Sequence, residues 1–165
     1  MITIYVKDFN GEVDQKSYDS IIHNLDLNRL QCPRCNHFGM KIHGYYDRPV
    51  KTINGLIRLV VLRVKCSSCN KTHAILLSSL IPYQSIQLKD QLRIINNDDL
   101  NSLMVNNPLI DESDVSRVKY NFNHFFKQRL LSENIKLDKD LIINCFEYYK
   151  RQFLQIKCLS NILFT

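Results

Sequence analysis

Glycine and proline are scarce in this chain, four of each in 165 residues, and no segment is low in complexity. Flexible linkers and low-complexity tracts are therefore not expected. No apolar run approaches the roughly 20 residues that a membrane-spanning helix needs, so no membrane partner is expected. The first ten residues contain no basic stretch leading into an apolar one. That argues against a secretory leader and for a reduced, cytoplasmic setting. Equally missing are a Gly-rich phosphate loop, a nucleophile elbow and a His-Glu-x-x-His pair. The chain is accordingly not expected to be an enzyme.

What the sequence has instead is concentrated charge. The net charge is +6 and 45% of residues are hydrophobic, enough for one ordinary domain or two small ones. Residues 29–73 carry nine basic side chains and one acid, Asp47, a net +8. Residues 1–28 are net negative, and residues 74–131 are balanced. A small segment so basic suits a polyanion, nucleic acid first, although a merely solvated surface is the competing explanation.

The same segment holds four cysteines in two matched pairs, Cys32-Pro33-Arg34-Cys35 and Cys66-Ser67-Ser68-Cys69. Each pair can offer two thiolates from one tight turn, and two pairs supply the tetrahedral four-sulfur shell that zinc prefers. Asn36 and Asn70 follow the pairs, and Asn is the residue after glycine that best tolerates positive φ. A redox dithiol would need one pair and a βαβ setting, and disulfides fit a reduced compartment poorly. Zn2+ held by Cys32, Cys35, Cys66 and Cys69 is the expected cofactor. A shell of four thiolates is closed, which argues for a structural and not a hydrolytic metal. His37, His43 and His73 are not needed as ligands, and His73 is expected to pack or hydrogen-bond beside the site. Cys145 and Cys158, at helix-like positions, read as buried small hydrophobes.

Residues 1–9 read as a strand and Asn10-Gly11 as a turn. Residues 17–30 read as a short helix or an extended lead-in. Residues 40–50 read as a strand with Gly44 at a bulge or a close-approach point and Pro49 ending it. Asn54-Gly55 signals a hairpin, and strands over residues 56–66 and 72–80 follow, stopped by Ile81-Pro82. Knuckle, hairpin, knuckle, strand is the order of a zinc ribbon, which needs its metal to be stable. Beyond Ser85 the periodicity is helical, over 85–96, 98–106, a long helix from Asp111 or Ser113 to about Ser132, and a last helix from Asp138 to near Lys157. The long helix carries the stripe Val115, Val118, Phe122, Phe125, Phe126. The apolar end, residues 161–165, either packs back or frays. Two domains are expected, a β-rich ribbon over residues 1–83 and an all-α, helix-turn-helix-like part over 84–165, together an α+β chain.

The stretch from Cys32 to Pro82 resembles a family of small bacterial zinc-ribbon proteins of unassigned function. It is also similar to the N-terminal zinc-binding segments of insertion-sequence transposases. The residues that carry this are Cys32-Pro33-x-Cys35, His43-Gly44-x-Tyr46-x-Arg48, Arg63-x-Lys65-Cys66-x-x-Cys69-x-Lys71-Thr72-His73 and Leu80-x-Pro82. The resemblance implies a zinc ribbon followed by a DNA-binding helical unit, associated with mobile elements. No His-x-His occurs, and the roughly eighty residues after Pro82 are too few for a two-metal carboxylate core. The expected function is DNA binding, transposon-associated or regulatory, without a catalytic core. Arg48, Lys51, Arg58, Arg63, Lys65 and Lys71 are the candidate contacts on the ribbon, with Arg117 and Lys127 on the long helix. The alternative is a protein–protein adaptor that docks on a polymerase, nuclease or recombinase. The aromatic load of the last helices would suit a homodimer or an ordinary core.

Overall fold

Ile2–Tyr5, largely β-branched, form strand β1. The computed structural model describes residues 1–6, 13–138 and 140–164, so residues 7–9 of the first expected strand and the Asn10-Gly11 signal lie outside the described residues. Helix α1 (Gln15–His23) starts on a capping box in which the Asp14 carboxylate and the Ser17 hydroxyl each accept from the other's backbone N–H. A 3-10 turn, Leu27–Arg29, leads into the first cysteine pair.

Strands β2 (Met40–Thr52) and β3 (Gly55–Cys66) form a long antiparallel hairpin. Thr52 pairs with Gly55, so Ile53 and Asn54 make the turn. Gly55 adopts a φ of 110°, which glycine takes without steric cost. The register slips by one between Ile42 and Gly44, leaving His43 as the extra residue of a bulge beside the glycine. Pro49 does not end β2, because β2 is the sheet's edge strand. Lys51 turns its N–H outward to Ser85 O (2.9 Å), and by the same parity the Pro49 nitrogen faces outward, where no ladder bond is lost.

Strand β4 (Thr72–Leu77) pairs with β3 through Thr72–Ala74 and, in parallel, with β1 through Ile75–Leu77. Where β3 and β4 part company, α1 covers the exposed edge of β3. Gln15 bonds both the N–H (2.8 Å) and the C=O (3.2 Å) of Val60. The buried Tyr18 hydroxyl accepts from Leu62 N–H (3.0 Å) and donates to Ile75 O (2.9 Å).

Helices α2 (Leu88–Asn96), α3 (Leu100–Asn106) and α4 (Glu112–Asn121) share one small core of Ile94, Leu103, Ile110 and Val118. Asp99 caps α3, and Asp111 caps α4 in a second capping box with Asp114. A π-turn, Phe122–Phe126, joins α4 to α5 (Lys127–Ser132), so the long helix of the sequence is continuous. The core-facing stripe runs Val118, Phe122, Phe126, Leu130, four residues per step. A regular helix would rotate that stripe off the core, and the wider π-turn restores it. Phe122 and Phe126 then meet Phe153 at 6.2 and 5.5 Å, while Phe125 is left exposed.

Helix α6 (Leu141–Tyr149) ends well short of Lys157, with Lys150 in the left-handed region (φ 52°). Three buried polar residues redirect the chain. Gln152 donates to Ser78 O (2.6 Å) and accepts from Thr3, Gln155 donates to the carbonyls of Lys157 and Cys158, and Ser160 donates to Gln155. The chain then forms β5 (Asn161–Phe164), parallel to β1, in a mixed sheet of order β2-β3-β4-β1-β5. The C-terminal part is therefore not all-α, and the strands are not confined to the N-terminal part. Cys145 is buried as expected, but Cys158 is exposed and non-helical.

Candidate metal centre

The two knuckles repeat one backbone pattern. In the first, Cys32 N–H donates to His37 O (2.9 Å) and Asn36 N–H to Cys32 O (2.9 Å). In the second, Cys66 N–H donates to Lys71 O (2.9 Å) and Asn70 N–H to Cys66 O (3.1 Å). Closing both loops needs left-handed backbone at the residue after the second cysteine, and Asn36 and Asn70 both sit at φ 59°. Cys66 is the last residue of β3 and pairs with Met40 of β2, so the sheet itself holds the second knuckle. The first is held by Gly39 N–H to Leu30 O (3.2 Å) and by the Gln31–Phe38 bridge.

These loops bring all four sulfurs within 4.8 Å of one another. Cys32 Sγ lies 3.6 Å from Cys69 Sγ, and Cys35 Sγ 3.6 Å from Cys66 Sγ. A disulfide would need about 2.05 Å. A tetrahedral ion with sulfurs at about 2.3 Å would separate them by about 3.8 Å, close to what the knuckles provide. The cluster can hold a metal ion. Cys32 and Cys66 are buried in the main core beside Leu30, Met40 and Val64, whereas Cys35 faces solvent.

Position sets the sulfur chemistry. Burial pushes the Cys32 thiol up to about 12, while donation from the His37 backbone N–H draws Cys35 down to about 7. An ion binding here displaces protons, most readily from the exposed cysteine. Arg34 N–H also approaches Cys32 Sγ at 3.4 Å. His73 lies against the site as the sequence suggested, with Nε2 at 3.3 Å from Cys32 Sγ. Burial lowers His73 to about 4, so its ring is neutral and can donate to a thiolate.

The basic candidates separate into groups. Arg48 is buried, and its guanidinium donates to Ile81 O and Gln84 O (both 2.6 Å), tying β2 to the segment before α2. Lys51 donates to Leu109 O (2.7 Å) and pairs with the buried Asp114, which also pairs with Arg117. Arg63 and Lys65 share one face of β3, and Lys65 sits directly opposite Lys41 of β2. Arg63 donates to Thr72 Oγ1 (3.0 Å). Arg58 belongs to the opposite face, Lys71 is exposed on the second knuckle, and Lys127 is exposed on α5. Lys41 was not singled out in the sequence because its place depends on the bulge. Counting back from the turn without it sets Lys41 against Cys66 and on the other face.

No curated protein and no solved structure matches the chain. Residues 32–112 match the family described as a domain of unknown function, DUF6431, a similarity that runs from the first cysteine of the cluster to the first residue of α4 and covers just under half of the chain.

Proposed function

We propose that this is a zinc-binding protein that binds DNA, in a transposon-associated or regulatory role, without a catalytic core of its own. The observation that carries the reading is the Lys41–Lys65 pair. Like charges directly opposite on a sheet destabilise it, and here Arg63 continues the row on the same face of the ribbon. Such a row is favourable once phosphates neutralise it. The soft, four-sulfur donor set favours zinc among the common ions. Helices α3 and α4, packed on α2, supply a helix-turn-helix-like unit. Its outer face carries Ser113, Ser116, Arg117, Tyr120, Asn123, His124 and Lys127, all exposed. The acids that open α4 are partly neutralised, since Asp114 pairs with Lys51 and Arg117.

The test is fluorescence anisotropy with labelled DNA, duplex and single-stranded, as salt is raised. Binding should weaken steeply with salt, and the Arg63→Ala/Lys65→Ala variant should lose about two units of the log–log salt slope. No binding at low salt, or binding indifferent to the double variant, contradicts the reading.

The adaptor reading has its own observation. Ile42, Tyr45, Leu56 and Val60 lie exposed on the face of the hairpin opposite Arg63 and Lys65. It predicts that a DNA-processing enzyme co-purifies with the wild type and not with Tyr45→Ser/Leu56→Ser.

A further inference from the structure

Two cavities adjoin beside the ribbon, the first of them on the sheet face that carries Arg63. The first, of about 730 Å³, is lined by Tyr46, Arg48, Arg63, Thr72, Tyr83 and Gln84, with Asp47 as its one acid. The second, of about 600 Å³, is lined by Tyr83, Gln84, Ser85, Arg117, Asn121 and Lys157. They share Tyr83, Gln84 and Ser85, so they form one groove from the ribbon to α4 with Tyr83 at its middle. Tyr83 is 61% exposed and is held in the left-handed region, φ 64°, a conformation costly for an aromatic residue. Its hydroxyl meets Cys158 Sγ at 3.3 Å, at the rim of the second cavity. Arg48 also lines the first cavity, but it is only 6% exposed and its Nε is sealed from solvent.

We infer that this groove binds single-stranded DNA, with an unpaired base stacked on Tyr83 and its phosphates between Arg63 and the Arg117–Lys157 end. The inference rests on the DNA-binding reading and narrows it to the unpaired strand. Each cavity has the size of a small-molecule pocket, suited to a single nucleotide. A duplex keeps its bases stacked on one another and leaves no π-face for Tyr46 or Tyr83. An unpaired strand offers one at every base. Cations at both ends and aromatics between them are the arrangement by which proteins follow a strand without reading its sequence.

The experiment compares an oligothymidylate of about 12 nucleotides with a duplex of equal length by anisotropy at low salt. The oligonucleotide should bind about tenfold more tightly than the duplex. Tyr83→Ala should lose about tenfold for the oligonucleotide only, and Tyr83→Phe, which keeps the ring, should match the wild type. If Tyr83→Ala loses metal or helicity, Lys157→Ala replaces it, with a severalfold loss expected for the oligonucleotide. Equal binding of both DNAs, preference for the duplex, or indifference to Tyr83→Ala and Lys157→Ala overturns the inference and leaves the broader reading standing. Binding of neither DNA overturns both.

Discussion

Tyr18 does for the sheet what no backbone group is placed to do. Its hydroxyl sits between two strands that have stopped pairing with each other, accepting from Leu62 N–H and donating to Ile75 O. Tyr18→Phe leaves a buried donor and a buried acceptor unmet, which should cost about 1–3 kcal/mol in denaturant unfolding. Burial also raises the Tyr18 pKa above the ordinary tyrosine value. The unfolded chain then loses this proton near pH 10 while the folded chain keeps it. The stabilisation is complete below pH 10 and is lost as pH rises towards the folded value. The wild type's margin over Tyr18→Phe should therefore shrink above pH 10, and a constant margin would contradict this account. In the sequence Tyr18 is one aromatic in a stretch that reads as a short helix or an extended lead-in, and its role emerges only when α1 lies across two strands.

At the scale of elements, the knuckles were the most legible part of the chain because their determinants are local. Cysteine spacing and an asparagine tolerant of positive φ are written within six residues, and both loops adopt the expected conformation. Asn36→Gly should leave stability within about 0.5 kcal/mol, since glycine takes φ 59° freely, whereas Asn36→Val should cost about 1–2 kcal/mol. Unfolding of the metal-loaded protein measures both, and equal values for Gly and Val would remove the conformational argument. The hairpin was legible for the same local reason. Where elements depend on distant partners, periodicity misled. Residues 150–157 keep a helical apolar rhythm, but Gln152 and Gln155 bond to Ser78 and to the 157–158 carbonyls, and a helix cannot make those contacts. The C-terminal strand was equally hidden, since Asn161–Phe164 become a strand only beside β1.

At the scale of the molecule, the four-cysteine cluster and the sheet are mechanically one object. Cys32 and Cys66 belong to the same core as Ile2, Ile4, Ile75 and Leu77. β4 carries the coupling, since its first half pairs with the ribbon strand β3 and its second half with β1. Structural zinc in small domains contributes about 10–16 kcal/mol at neutral pH, comparable to the whole stability of an ordinary domain, about 5–15 kcal/mol. On the proposed reading, losing the ion returns protons to sulfurs that lie within 4.8 Å of one another, two of them in the core. The ribbon's three strands are too few to hold their shape alone. Loss of β3 then strips β4 of half its pairing and leaves α1 without the strand edge it covers. Removal of metal by a chromogenic chelator, or Cys66→Ser, should therefore unfold the whole sheet and not a local loop. Metal release and the far-ultraviolet strand signal should follow one time course. A chelated protein that keeps its strand signal and its protected β1 amides would show instead that β4 insulates the ribbon from the rest of the sheet.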